Sequence, residues 1–125
     1  MNLSFHRGPQ CLVAKLQGEL DLSSASAFKE RVERELRATG EPNLVLNLRG
    51  LDFVDSTGLG AILGRMRHIT AGGGKMVLAS VPPKVLSMLE MAGLSSLLPI
   101  VRNEDEAFEV WSGTQHADPE GGVWA

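Results

Sequence analysis

Cysteine is almost absent from this sequence, since Cys11 is the single one among 125 residues. One cysteine cannot form an internal disulfide, and its place in an apolar run predicts a small buried side chain. The three histidines, His6, His68 and His116, are too dispersed to have the ligand spacing of a metal site. We therefore expect neither a disulfide nor a bound metal.

Long apolar runs and an excess of one charge are also missing. No stretch exceeds about six consecutive apolar residues, which is too short to span a bilayer, and residues 1–7 lack the apolar run of a secretion signal. The 12 basic and 15 acidic residues give a net charge of −3, and the basic ones are scattered among acids. This distribution argues against nucleic acid as a partner. We expect a cytoplasmic protein with no membrane and no nucleic-acid partner.

The composition changes near residue 112. The chain as a whole is 43% apolar, which is enough for one compact core in a protein of this length. Residues 112–125 are rich in glycine and polar residues, and such a segment cannot bury enough apolar area to offset the entropy of ordering. We therefore predict one domain over residues 1–111 and a disordered tail over residues 112–125.

Strand-like and helix-like apolar patterns alternate along residues 1–111. They predict strands at 3–5, 11–17, 43–48, 75–79 and 97–101, a loop at 49–54, and helices beginning after Ser24, at Ser56, at Pro82–Pro83 and at Glu104. The last helix is expected to reach Trp111, with this side chain turned inward. The predicted fold class is α/β, with a mixed, largely parallel sheet of about five strands and about four helices mainly on one face. The first strand pair is expected to be antiparallel.

The segment Asp55-Ser56-Thr57-Gly58-Leu59-Gly60 lies where a strand pattern gives way to a helix pattern. At a helix N-terminus the unpaired N–H groups and the helix dipole favour an anion, so a phosphate on Ser56 would be tolerated there. Gly58 and Gly60 are expected to leave the first turn bare for the approach of a partner. Asp and Ser are also common helix caps. A phosphorylatable switch and a plain helix cap are therefore both open at this point.

Motifs for catalysis are incomplete. Residues 58–64 lack the third glycine of a dinucleotide fingerprint at its required spacing, and Gly72-Gly73-Gly74-Lys75 lacks the glycine spacing and final hydroxyl of a P-loop. Val54 stands two residues before Ser56, where a nucleophile elbow has a glycine. His68 lies about 18 Å further along the helix, at ~1.5 Å per residue, and is too distant to act as its base. We predict that the chain is not an enzyme and has no cofactor, with a nucleotide-hydrolysing enzyme as a remote alternative.

Four segments, in this order and spacing, resemble the anti-sigma factor antagonists of the STAS family: Gly18-Glu19-Leu20-Asp21, Val45-Leu46-Asn47-Leu48, the run from Phe53 to Arg65, and Met91-Ala92-Gly93-Leu94. The resemblance is closest to the sporulation and general-stress members, and it covers roughly residues 1 to 111. It implies a single STAS-type domain. Residues 22–25 differ from what some members carry there, which leaves the identity of the partner open.

This resemblance implies a binding protein with two states. The unphosphorylated form would bind an anti-sigma factor that is also a serine kinase, so that the sigma factor is released. Phosphorylation would end this binding, and a metal-dependent phosphatase would reset the protein. ATP and magnesium would belong to the kinase.

By the same resemblance Ser56 would be the phosphoacceptor, and the surface around it would meet the partner through Asp21, Asp55, Ser56, Thr57, Gly58, Leu59 and Gly60. Asp55 would help to orient the hydroxyl. Ser56 is favoured over Thr57 because the methyl group of threonine restricts its rotamers and its hydroxyl can bond to the local backbone. A non-switching STAS scaffold of a stress-sensing or transport assembly is the alternative, and the intact acceptor segment favours the switch.

Overall fold

A computed structural model of the protein describes residues 1–112. Nine elements follow one another along the chain: β1 (Asn2–Gly8), β2 (Cys11–Leu20), α1 (Ala25–Thr39), β3 (Asn43–Val54), α2 (Ser56–Ala71), β4 (Met76–Ala79), α3 (Pro83–Met91), β5 (Ile100–Val101) and α4 (Glu104–Glu109). The predicted tail of 112–125 falls, apart from Ser112, outside the described residues.

The five strands form one sheet in the order β1-β2-β3-β4-β5. The turn between Gly8 and Cys11 is too short for a crossover, so β1 and β2 pair antiparallel, whereas β2 to β5 are mutually parallel. The helices α1, α2 and α3 supply the crossover connections that parallel strands require. The prediction of a mixed, largely parallel sheet is confirmed, and β1 extends beyond the predicted residues 3–5 at both ends.

The two faces of the sheet carry separate apolar cores. Leu12, Ala14 and Leu16 of β2 face α1, α2 and α3, while Cys11 and Val13 face α4. The first core is completed by helix residues that are fully or nearly buried: Phe28, Val32, Ala61, Ile62, Val85 and Leu89. Three helices cover one face and the short α4 covers the other, as the prediction of helices mainly on one face requires.

The prediction of a loop at 49–54 was wrong, because β3 continues through Val54. Its pairing with β2 shifts register between Lys15 and Gln17 and again between Gly18 and Glu19. Such bulges break the regular alternation of apolar residues, so the strand pattern in the sequence ends too early. For the same reason β2 passes Gly18, whose φ of 100° is favourable for glycine, and ends at Leu20.

The C-terminal elements are shorter than the sequence pattern predicts. Residues 97–99 are not part of β5, because the N–H groups of Leu97 and Leu98 donate to the carbonyl of Leu94 and Pro99 has no N–H group. Helix α4 ends at Glu109, so the prediction of a helix through Trp111 was wrong. The Trp111 side chain does turn inward as predicted, since it packs, partly buried, against the core on the α4 face. Its indole Nε1 donates to the carbonyl of Pro9 at 2.8 Å, which ties the end of the domain to the first turn.

Candidate functional site

The predicted site lies at the carboxyl ends of β2 and β3. These strands are parallel neighbours, and Leu20 at the end of β2 pairs with Val54 at the end of β3. The backbone N–H of Asp55 donates to the carbonyl of Leu20 at 3.2 Å. The residues that follow the two strands, Asp21 and Asp55, therefore lie at one edge of the sheet although they are 34 positions apart in the chain.

Asp55 is the N-cap of α2. Its backbone is extended, and its carboxylate Oδ1 accepts a hydrogen bond of 2.8 Å from the N–H of Gly58, which is the usual geometry of an aspartate cap. The other oxygen, Oδ2, accepts from the N–H of Leu22 at 3.2 Å. One carboxylate thus fixes the start of α2 and holds the loop after β2 against it. Both oxygens are engaged by the backbone, and the suggested role of Asp55 in orienting Ser56 stays a prediction.

Asp21 organises the loop between β2 and α1. Its Oδ1 accepts hydrogen bonds from the hydroxyl of Ser23 at 2.7 Å, the N–H of Ser23 at 3.0 Å and the hydroxyl of Ser24 at 3.2 Å. These donors, the Ser23 hydroxyl first, lower the pKa of Asp21 below its ordinary value because they stabilise the charged form. The carboxylate is therefore ionised at neutral pH and part of an ordered turn.

Ser24, after which a helix was predicted to begin, is the N-cap of α1, and it makes no side-chain cap bond. Its single hydroxyl hydrogen is instead shared between two acceptors, the carbonyl of Glu19 at 2.9 Å and Oδ1 of Asp21 at 3.2 Å. Its oxygen accepts from the N–H of Asp21 at 2.9 Å. The serine therefore closes the loop onto the end of β2. This leaves the segment from Asp21 to Ser24 as a compact turn beside the start of α2.

Ser56 is the first residue of α2 and its side chain is exposed, as predicted from the position of the strand-to-helix junction. Thr57 is exposed as well, and within residues 1–112 neither hydroxyl has a hydrogen-bond partner. Thr57 therefore does not use its capacity for a local bond to the backbone. Both hydroxyls are accessible to another protein, and the choice of Ser56 over Thr57 stays a prediction.

Gly58 and Gly60 have different environments. Gly58 is buried, and a Cβ added there would overlap the carbonyl oxygen of Leu20 and lie 2.8 Å from Cγ2 of Val54. A Cβ on Gly60 would meet nothing within 4 Å. The expectation that both glycines bare the first turn for a partner is therefore incomplete, because Gly58 is needed for the close approach of α2 to the end of β2. Leu59 is half-buried and packs against the main core.

Two features of the region escaped the sequence analysis. Leu22, in the turn after Asp21, is 77% exposed. Its position as an apolar residue among polar residues at a helix start is the sequence signal that could have revealed it. Arg65, on the core-facing side of α2, is only 7% exposed, and within residues 1–112 its Nε is buried without a hydrogen-bond partner. A buried donor without an acceptor costs stability.

The arrangement offers the Ser56 hydroxyl to another protein, and within residues 1–112 no side chain is hydrogen-bonded to it. His68 lies in the last turn of α2, at the far end of the 16-residue helix that Ser56 begins. Within the described part of the chain, no group of three or more His, Cys, Asp or Glu side chains could hold a metal ion, and no helix is both long and apolar enough to cross a membrane. The site is an exposed surface centred on one helix N-terminus.

Several proteins similar to this chain are anti-sigma factor antagonists by name. The family model described as "STAS domain" matches residues 2–107. An anti-sigma F factor antagonist of Paenibacillus polymyxa is 36% identical over 107 residues, which cover 86% of this chain and 90% of the relative. The prediction that the chain is not an enzyme agrees with this relative, whose name is that of a regulator.

Solved structures show the same fold. A Thermotoga maritima protein described as an anti-sigma factor antagonist superimposes with a TM-score of 0.80 at 26% identity, covering 86% of this chain and 92% of its own. The antagonist SpoIIAA of Bacillus, at 24% identity, has been solved in two forms. The unphosphorylated form superimposes with a TM-score of 0.73 and covers 87% of this chain and 96% of its own. The phosphorylated form superimposes with a TM-score of 0.66 and covers 87% of this chain and 99% of its own. The single α/β domain and the matched residues together show that the chain belongs to the STAS domain family.

Proposed function

We propose that this protein is a cytoplasmic anti-sigma factor antagonist that is switched by phosphorylation. Its unphosphorylated form binds an anti-sigma factor serine kinase and frees the sigma factor, phosphorylation of Ser56 ends this binding, and a phosphoprotein phosphatase restores it. The observation that carries the proposal is the exposed, unpaired hydroxyl of Ser56 at the first position of α2. The names of its relatives support the class of function.

The start of α2 is suited to carry a phosphate. No acidic side chain lies in the first turn of the helix itself, and the N–H groups at a helix N-terminus, together with the helix dipole, favour an anion. The N–H of Gly58 is already taken by Asp55, so the N–H groups of Ser56 and Thr57 are those left to the phosphate. We therefore expect the domain to stay folded when Ser56 is phosphorylated.

The same phosphate would be incompatible with a tight interface. It adds about −1.5 to −2 charges next to Asp55, at a position where the partner has covered a neutral hydroxyl. Burial of an unpaired charge is costly, and the added atoms need space that a close-packed interface does not have. A loss of several kcal/mol corresponds to a loss of roughly two or more orders of magnitude in affinity. ATP and magnesium belong to the kinase in this scheme, and this chain holds no cofactor.

The first experiment identifies the partner. The Ser56→Ala chain, which cannot be phosphorylated at this position, is used as bait in cytosol from the source organism, and the captured proteins are identified. We expect an anti-sigma factor of the serine kinase type. Calorimetric titration of that purified kinase against the parent chain and Ser56→Glu should then show a large loss of affinity for Ser56→Glu, while the thermal midpoint stays within a few degrees.

The second experiment assigns the acceptor. Incubation of the parent chain with the kinase and ATP should add one phosphate per chain, on Ser56. Ser56→Ala should abolish labelling and the matched control Thr57→Ala should only slow it. Phosphate located on Thr57, or full labelling of Ser56→Ala, contradicts the assignment. An unchanged affinity of Ser56→Glu contradicts the switch and leaves the non-switching STAS scaffold.

A further inference from the structure

Leu22 is a large apolar side chain that the fold leaves in solvent. It is 77% exposed, and it follows Asp21 at the carboxyl end of β2. A single exposed leucine is ordinary on a protein surface. Leu22 differs from an ordinary one in two ways. Several hydrogen bonds fix the backbone around it, and one of them joins it to Asp55, the residue that precedes Ser56.

The backbone at Leu22 is fixed on both sides. Its own N–H donates to Oδ2 of Asp55, the N–H of Asp21 donates to the hydroxyl of Ser24 at 2.9 Å, and the N–H of Ser23 donates to Oδ1 of Asp21 at 3.0 Å. Ordering a loop and its side chains is a main cost of association. Because this loop is already ordered, Leu22 can enter a partner with little of that cost.

The two segments that form the site, residues 19–24 and 53–60, are acidic. They include Glu19, Asp21 and Asp55 and no lysine, arginine or histidine. Asp55 joins the two segments, since its carboxylate holds Leu22 while its backbone precedes Ser56. An exposed apolar side chain with polar, charged neighbours has the composition of the centre and rim of a protein interface.

We infer that Leu22 is an anchor of the kinase interface, and that it enters an apolar pocket with a basic rim on the anti-sigma factor. The inference rests on the proposed function and deepens it by naming the chemistry of the partner surface. Interface energy is concentrated in a few well-buried side chains, and acidic residues around the anchor select a partner with opposite charge at the rim. Leu22 therefore contributes affinity, and Glu19, Asp21 and Asp55 contribute orientation.

The test uses the full chain and the purified kinase that Ser56→Ala recovers. Leu22→Ala should weaken binding roughly tenfold to a hundredfold, as expected when a buried leucine side chain is truncated. Leu22→Met, which keeps an apolar side chain of similar size, should stay within about threefold of the parent. Because Leu22 is exposed, both variants should keep the thermal midpoint of the parent.

Met91 provides the matched control. It is 88% exposed, and it lies at the end of α3, which runs from the carboxyl end of β4 back towards the amino end of β5. It is therefore exposed at the opposite edge of the sheet, and Met91→Ala should leave the affinity unchanged.

The outcomes separate this inference from the proposed function. If Leu22→Ala binds as the parent does while Ser56→Glu binds weakly, the anchor is wrong and the switch stands. An equal loss in Leu22→Ala and Met91→Ala also overturns the anchor. If the unphosphorylated parent binds no anti-sigma factor kinase, both the proposed function and the anchor fail.

Discussion

Two glycines in the first turns of α2 should respond with opposite sign to the same substitution. Gly58 and Gly60 are both helical and lie two positions apart. An alanine Cβ at Gly58 would overlap the carbonyl oxygen of Leu20 and crowd Cγ2 of Val54, whereas at Gly60 it would meet nothing within 4 Å. We predict that Gly58→Ala destabilises the protein and that Gly60→Ala stabilises it.

The magnitude follows from two opposing terms. Alanine is more favourable than glycine in a helix by roughly 0.5–1 kcal/mol, and this term favours both variants. At Gly58 the overlap is with backbone, which no change of rotamer can relieve, so we place its cost at about 3 kcal/mol, the upper part of the range for overpacking. The net effects are a loss of about 2 kcal/mol for Gly58→Ala and a gain of up to about 1 kcal/mol for Gly60→Ala.

Urea unfolding, with thermal unfolding alongside it, measures this difference. For a domain of this size 1 kcal/mol corresponds to roughly 3–5 °C in the midpoint, so the two variants should differ by about 10 °C. The urea midpoint should move in the same direction with an unchanged m value, as expected when only stability changes. Equal stability of the two variants would refute the close approach of α2 to the end of β2, on which the geometry of the site depends.

Three further predictions concern Asp21, Cys11 and Arg65. Hydrogen bonds from Ser23 lower the pKa of Asp21, so the NMR titration of the Asp21 carboxylate should shift to higher pH in Ser23→Ala. In the parent protein this carboxylate stabilises the fold at pH values above its unfolded pKa. That contribution is lost as the pH falls through the lowered pKa of the folded state. Burial raises the pKa of the Cys11 thiol to about 11, so a thiol reagent at pH 8 should label it only after unfolding, and fast labelling of the native protein would contradict its burial. Arg65→Met removes the buried Nε that has no hydrogen-bond partner within residues 1–112, so we expect the free energy of unfolding to be unchanged or raised by about 1–3 kcal/mol. A marked loss of stability in urea unfolding would mean that the guanidinium makes a stabilising contact.

The sequence determined the elements whose local signals agree with their tertiary environment. The run from Asn43 to Leu48 reads as a buried strand because both of its faces are covered, and it is one. Asp55 and Ser56 mark a helix start through capping chemistry that acts within four residues. The motif around Ser56 also led to the family, since its spacing is a local property of the chain.

The tertiary structure decided whatever depends on contacts between distant segments. The second half of β3 is a strand because bulged pairing with β2 satisfies its backbone, and no local pattern reports a register shift. Gly58 is required by the carbonyl of Leu20, 38 positions earlier, and Leu22 is held by the carboxylate of Asp55, 33 positions later. The sequence could place Ser56 at a helix start, but only the pairing of β2 with β3 brings the turn of Asp21 and Leu22 beside it, because parallel strands end at the same edge of a sheet.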